Sequence, residues 1–219
     1  MISTIEEKRE KLIEFVKKDV KGFEIVKKSE SKLMKIINFF VYLFCPQFMT
    51  RFYTTVYPRL YVPDSSTVTN PVVFTQILAH EWVHLKNAER NKFWFSFKYT
   101  FPQNLAFLSI LSILSIWSLW FLFSLLFLVF LVPIPAYWRA REEVEAYKMS
   151  LAVHWWLAKR EISTEWVVEQ FTGSNYYFMW PFGEQLKEEF DNFLKMIIMG
   201  NENELEPKFE TMKNILEDK

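Results

Sequence analysis

Residues 3–20 place Ile5, Leu12, Phe15, Val16 and Val20 at helical spacing among lysines and glutamates, which predicts an amphipathic helix ended by Gly22. The apolar run Phe23–Val26 predicts a short extended segment. A second helix is expected over 30–44, increasingly aromatic and stopped by Pro46. Thr54–Pro63 is rich in Thr, Val and Tyr and predicts one strand or hairpin, confined by its prolines to a sheet edge. After a polar loop, Asp64–Asn70, Pro71 opens a helix running to about Asn91, with Val73, Phe74, Ile77, Leu78 and Val83 on its buried side. A long helix is expected at roughly Ala136–Glu161, and further helices near 164–171, 183–199 and 206–217. The fold class is therefore α+β, mainly α: a single domain over 1–219 with a small edge β-sheet.

Between these elements, no charged residue occurs from Lys98 to Arg139, and Leu105–Val132 is built from Leu, Ile, Phe, Trp, Ala, Val and Ser. This run exceeds the roughly 20 residues that cross a bilayer. A single crossing would separate residues before it from residues after it. A hairpin over 102–136, turning near Ser115–Trp120, keeps both ends on one side. Each α-helical arm of about 14 residues would reach about 21 Å, short of a hydrocarbon core of about 30 Å. Lys92 and Lys98 flank one end and Arg139 and Arg141 the other, so both ends are expected on the cytoplasmic side. Trp94, Phe95, Tyr99, Tyr137 and Trp138 are expected at the interface. The lipid bilayer is accordingly an expected partner, and the chain is expected to be membrane-associated.

Composition narrows the chemistry. Lys+Arg and Asp+Glu are both 26, so no global field favours nucleic acid. Cys45 is the only cysteine, which excludes a disulfide framework. Four glycines in 219 residues disfavour a many-stranded fold, and the charged start of the chain implies an amphipathic helix rather than an export signal.

His80-Glu81-Trp82-Val83-His84 fits the pattern His-Glu-x-x-His within a predicted helix. Four residues apart, the two imidazoles share one face and can reach a single ion. Glu81 is turned from that face toward a metal-bound water, whose pKa a zinc ion lowers to about 7. Glu81 is the expected general base. The chain holds only three histidines, so two at this spacing form a specific signal.

A catalytic zinc usually takes a third protein ligand. Glu142, Glu143, Glu145 and His154 follow the apolar run. On one helix, Glu143, Ala146, Tyr147, Ser150 and His154 form a single stripe. Glu143 and His154 lie about 16 Å apart along that helix and cannot share an ion. Between Val153 and Trp155, His154 reads as a core or interfacial histidine.

With Glu143-Val-Glu-Ala-Tyr147 downstream of the His-Glu-x-x-His helix, the chain resembles gluzincin-type zinc metallopeptidases, in particular the membrane-embedded branch of HtpX-like and prenyl-protein proteases. That branch carries Glu-x-x-Ala-Asp on the later helix. The resemblance implies a minimal zincin-like core, one Zn2+ per chain held by His80, His84 and Glu143, and Glu81 as catalytic base. It also implies a peptide or protein substrate laid along the Thr54–Val62 strand. Tyr147 stands where the branch has Asp, the residue that orients a metal-binding histidine. The expected function is zinc-dependent hydrolysis of peptide bonds. The alternative is a non-catalytic, membrane-associated assembly or structural protein whose metal is structural or absent.

Overall fold

The structure is a computed structural model that describes residues 4–42, 45–64, 70–160, 162–174, 178–201 and 205–217. The expected end of the second helix (Leu43–Phe44), most of the loop 64–70, Glu161 and Tyr176–Tyr177 lie outside the described residues. The elements in order are α1 (Ile5–Asp19), β1 (Glu24–Lys27), a 3₁₀ turn (Lys28–Glu30), α2 (Lys32–Val41), β2 (Thr54–Val56), β3 (Arg59–Val62), α3 (Pro71–Arg90) and α4 (Lys92–Thr100). Two 3₁₀ arms follow (Gln103–Ile116 and Leu119–Leu131), then α5 (Tyr137–Ala158), α6 (Thr164–Thr172), α7 (Gly183–Met199) and α8 (Pro207–Glu217). The mainly helical α+β class is as expected.

Local chemistry sets the boundaries. Thr4 and Glu7 close a capping box at the start of α1, where Glu6 and Glu7 also suit the positive end of the dipole. Gly22, with φ of 79°, takes the left-handed conformation that turns the chain into β1. The side chain of Asn70 accepts from the amides of Val72 and Val73, and Pro71 fills the first position of α3.

The chain packs as two compact units, 1–92 with 146–162 and 194–219, and 93–145 with 163–193. In the first, β3 lies between β1, to which it is parallel, and β2, to which it is antiparallel. The expected edge strand Thr54–Val62 is thus corrected: within that segment β2 is an edge, whereas β3 is interior because β1 pairs with its other side. Pro58 sits in the turn and Pro63 follows the strand, so neither interrupts a ladder. Helix α3 is enclosed on every side over Leu78–Leu85, where eight consecutive residues are buried. Leu12 and Val16 of α1 are buried against it, and Phe15 meets Trp82 edge-on at 5.6 Å. The Trp82 Nε1 donates to Asp19 Oδ2 at 2.8 Å. Val73, expected on the buried side, is instead exposed in the first turn of α3.

In the second unit, the apolar run forms two arms that turn at Trp117–Ser118 and are 3₁₀ rather than α. Such runs rarely exceed three or four residues alone; here the arms pack along one another. Their buried residues are the small Ala106 and Ser124, and the Ser124 hydroxyl donates to Phe121 O at 2.7 Å. Small residues at the seam permit close approach, and the large side chains point outward. Among the described residues no single helix is long and apolar enough to cross a membrane; α4 and the first arm pass that test only together, bent by 89°.

Candidate metal centre

Two helices build the site. The Gln76 amide donates to His154 Nδ1 at 2.6 Å, and His80 Nδ1 lies 3.2 Å from Ser150 Oγ. A step of four residues forward on α3 matches four backward on α5, so the helices run antiparallel with 76 opposite 154 and 80 opposite 150. The next step brings His84 toward the turn that carries Tyr147 and Glu143. The ligand atoms of His80, His84 and Glu143, all buried, lie within 4.8 Å of one another. The group expected from the sequence is therefore brought together.

The residues fit a divalent metal. The Nε2 atoms of His80 and His84 are 3.2 Å apart. Two imidazoles on a tetrahedral zinc, at 2.0–2.1 Å each, have their nitrogens about 3.3–3.4 Å apart. Proton placement agrees. The Ser150 hydroxyl can donate to Ala146 O at 3.4 Å and accept from His80 Nδ1–H, which leaves the Nε2 lone pair free for an ion. Two imidazoles and a carboxylate suit zinc and its divalent transition-metal neighbours.

Around these ligands the structure adds partners that sequence reasoning missed. Ser150, on the stripe of Glu143 and Tyr147, is in position to orient His80 through Nδ1. Tyr147 offers its ring rather than a charge, meeting the His80 ring edge-on with centroids 4.8 Å apart. The Tyr99 hydroxyl donates to Glu143 Oε1 in a very short hydrogen bond, and the Arg139 guanidinium lies over the Tyr99 ring at 5.2 Å. No signal in a single sequence links Tyr99 to Glu143, because α4 is aromatic on all sides. Through this bond Tyr99 supports the third ligand candidate.

Glu81 is buried, and its Oε2 accepts from Thr55 Oγ1 of β2 at 2.6 Å. This leaves Oε1 for a water. Lys28, fully buried beyond the end of β1, donates to Phe48 O at 2.7 Å and lies over the Phe48 ring. Burial pushes its pKa down to about 8, against the opposing pull of Cys45 and Glu81. His154 has its pKa lowered by burial, with Arg160 adding to the effect; it serves Gln76 as a neutral acceptor and is no part of the metal group.

Comparison of the chain with protein-family models, curated proteins and solved structures returns no match. The case for function rests on the site.

Proposed function

We propose that the chain is a gluzincin-type zinc metallopeptidase hydrolysing peptide bonds, with one Zn2+ held by His80, His84 and Glu143. The observation that carries this reading is the pair of Nε2 atoms 3.2 Å apart, grouped with a buried carboxylate and adjacent to Glu81. When bound, zinc supplies a polarised carbonyl and an acidified water. Glu81, steadied by Thr55, would accept a proton at Oε1 as general base and give it to the leaving amine. Ser150 keeps His80 in the tautomer that ligates. The outer edge of β2, beside α3, can accept an extended substrate backbone as an added strand.

The same proposal places the chain at a membrane through the 102–136 hairpin, with the site on the cytoplasmic side. Ile113, Ile116, Trp117, Leu119, Trp120 and Leu126 are among the large side chains that the arms expose. Each forgoes about 1.5–3 kcal/mol by remaining in water. Over both arms the loss reaches tens of kcal/mol, more than the 5–15 kcal/mol that stabilises a typical domain. A lipid environment removes that cost.

The test is a paired measurement on the purified full-length protein. Zinc content of about one ion per chain is expected, lost in His80→Ala and retained in Glu81→Gln, with peptidase turnover abolished in both. Full turnover in Glu81→Gln would refute the base, and absence of metal from the parent protein would refute the enzyme.

A further inference from the structure

Helix α2 lies away from the metal group and has no part in the proposed reaction. Of its ten residues only Met34 is buried. Leu33, Ile36 and Phe40, spaced by three and four, form one exposed stripe, with Phe39 beside it. Phe39 is 78 % exposed, Phe40 68 %, Ile36 58 % and Leu33 42 %, and Tyr42 just past the helix is 55 % exposed. The Phe39 and Phe40 rings touch only edge-on, at 5.3 Å. Lys32 and Lys35 are exposed on the flank of this stripe. From Ser31 to Pro63 the chain contains no acidic residue, while Lys32, Lys35, Arg51 and Arg59 are basic.

Three features select the occupant. Large aromatics and aliphatics flanked by lysines are what a helix lying in the plane of a lipid interface presents: rings enter the headgroup–acyl boundary and lysine stems reach back to phosphates. The exposed Lys32 and Lys35 complement anionic headgroups, each nearby cation adding attraction that falls away within a Debye length. Size disfavours a second copy of the chain. Five side chains exposed to this degree offer about 500 Å², below the roughly 800 Å² per partner of a standard interface. We propose that α2 is an interfacial anchor that docks on anionic phospholipid through Leu33, Ile36, Phe39 and Phe40, steered by Lys32 and Lys35. The proposal is independent of the metal centre and of whether the 102–136 hairpin enters lipid.

The experiment uses full-length protein with Cys45→Ser and one new cysteine carrying an environment-sensitive nitrobenzoxadiazole label. Labels are placed in separate preparations at Phe39→Cys, at Ile113→Cys in the hairpin and at Glu14→Cys on α1. Each is mixed with vesicles of phosphatidylcholine alone, or of three parts phosphatidylcholine to one part phosphatidylglycerol, containing nitroxide-bearing lipid. The label at position 39 is expected to shift to the blue and be quenched in the anionic vesicles while that at position 14 stays aqueous. Adding Lys32→Glu and Lys35→Glu should weaken the quenching several-fold. An aqueous, unquenched label at 39 in anionic vesicles overturns the proposal. So does shielding that requires no anionic lipid and survives the charge reversal, or shielding that grows with protein concentration in the absence of vesicles, which would mark an interface between copies. The label at position 113 reports the hairpin separately, so failure of one membrane contact is not confused with failure of the other. A second variant, Phe39→Ser with Phe40→Ser in full-length protein labelled at Ile36→Cys, should keep the parent's circular dichroism and melting temperature while losing the blue shift and quenching in the anionic vesicles; retained quenching counts against the proposal.

Discussion

Replacing Ser150 by Ala removes the hydroxyl 3.2 Å from His80 Nδ1 and leaves both proposed histidine ligands intact. The 3.2 Å separation is at the long end for a hydrogen bond to nitrogen, so its net worth belongs in the lower part of the usual 0.5–1.5 kcal/mol. To this is added a loss of tautomer control, because an acceptor at Nδ1 favours the proton there over the ligating Nε2. Losing such an orienting partner typically weakens metal affinity 10–100-fold, or about 1.4–2.7 kcal/mol. The length of this bond puts the expectation at about tenfold. The assay is competition for zinc against a chromophoric chelator, read beside the melting temperature of the metal-free protein, since Ser150 also touches Ala146 O. Ser150→Thr keeps the hydroxyl and should bind zinc within about threefold of the parent, on the scale of the same partner effects. If Ser150→Ala binds zinc as tightly as the parent with its fold intact, Nδ1 orientation plays no part in holding the ion, and the proton placement argued for His80 is wrong.

Thr55→Val keeps shape and removes the donor to Glu81; it should lower kcat about tenfold, a fraction of what general-base catalysis supplies, with KM and zinc content unchanged, and Thr55→Ser should recover most of the rate. Tyr99→Phe removes a donor to a carboxylate, a bond worth about 1.5–3 kcal/mol, and should weaken zinc binding about tenfold or more in the same competition assay. Lys28→Met tests the buried cation. With a folded pKa of about 8 against 10.5 unfolded, the folded state holds fewer protons between those values. The parent's stability should therefore carry the full penalty below pH 8 and rise as pH climbs toward 10.5, by up to about 3 kcal/mol. The variant should lack that slope in urea melts across the range; its gain at pH 7 is offset by about 1–3 kcal/mol for the Phe48 carbonyl left without its donor. Identical slopes would show that Lys28 does not titrate there.

The parts of the site legible in the sequence are those whose geometry is local. Four residues of helix fix His80 against His84, and Asn70-Pro71 fixes where that helix starts. Glu143 lies about sixty residues further on, and periodicity alone left Glu142, Glu145 and His154 beside it as candidates. What selects it physically is the antiparallel pairing of α3 with α5, a tertiary fact that no window of sequence contains. The same limit misplaced the sheet edge: Thr54–Val62 shows its own strand character, but only the parallel pairing of Glu24–Lys27 makes β3 interior. Helix α4 was missed for a different reason. Phe93, Trp94, Phe95, Phe97, Tyr99 and Phe101 point in every direction around the axis, so there is no apolar face to detect and no cue that Tyr99 alone turns toward a carboxylate.

The hairpin shows how far composition alone carries an argument. Uniform apolarity over Leu105–Val132 announces that the segment needs a non-aqueous environment, yet it erases the periodicity that would distinguish one helix type from another. The distinction matters for depth. At the α-helical rise, arms of about 14 residues reach about 21 Å. At about 2.0 Å per residue, the 3₁₀ arms of 14 and 13 residues reach about 28 and 26 Å. The second figure approaches the roughly 30 Å of a hydrocarbon core. Backbone geometry, not hydrophobicity, therefore sets how deep the Trp117–Ser118 turn would reach if the hairpin enters lipid: a 3₁₀ rise carries it farther than an α-helical one.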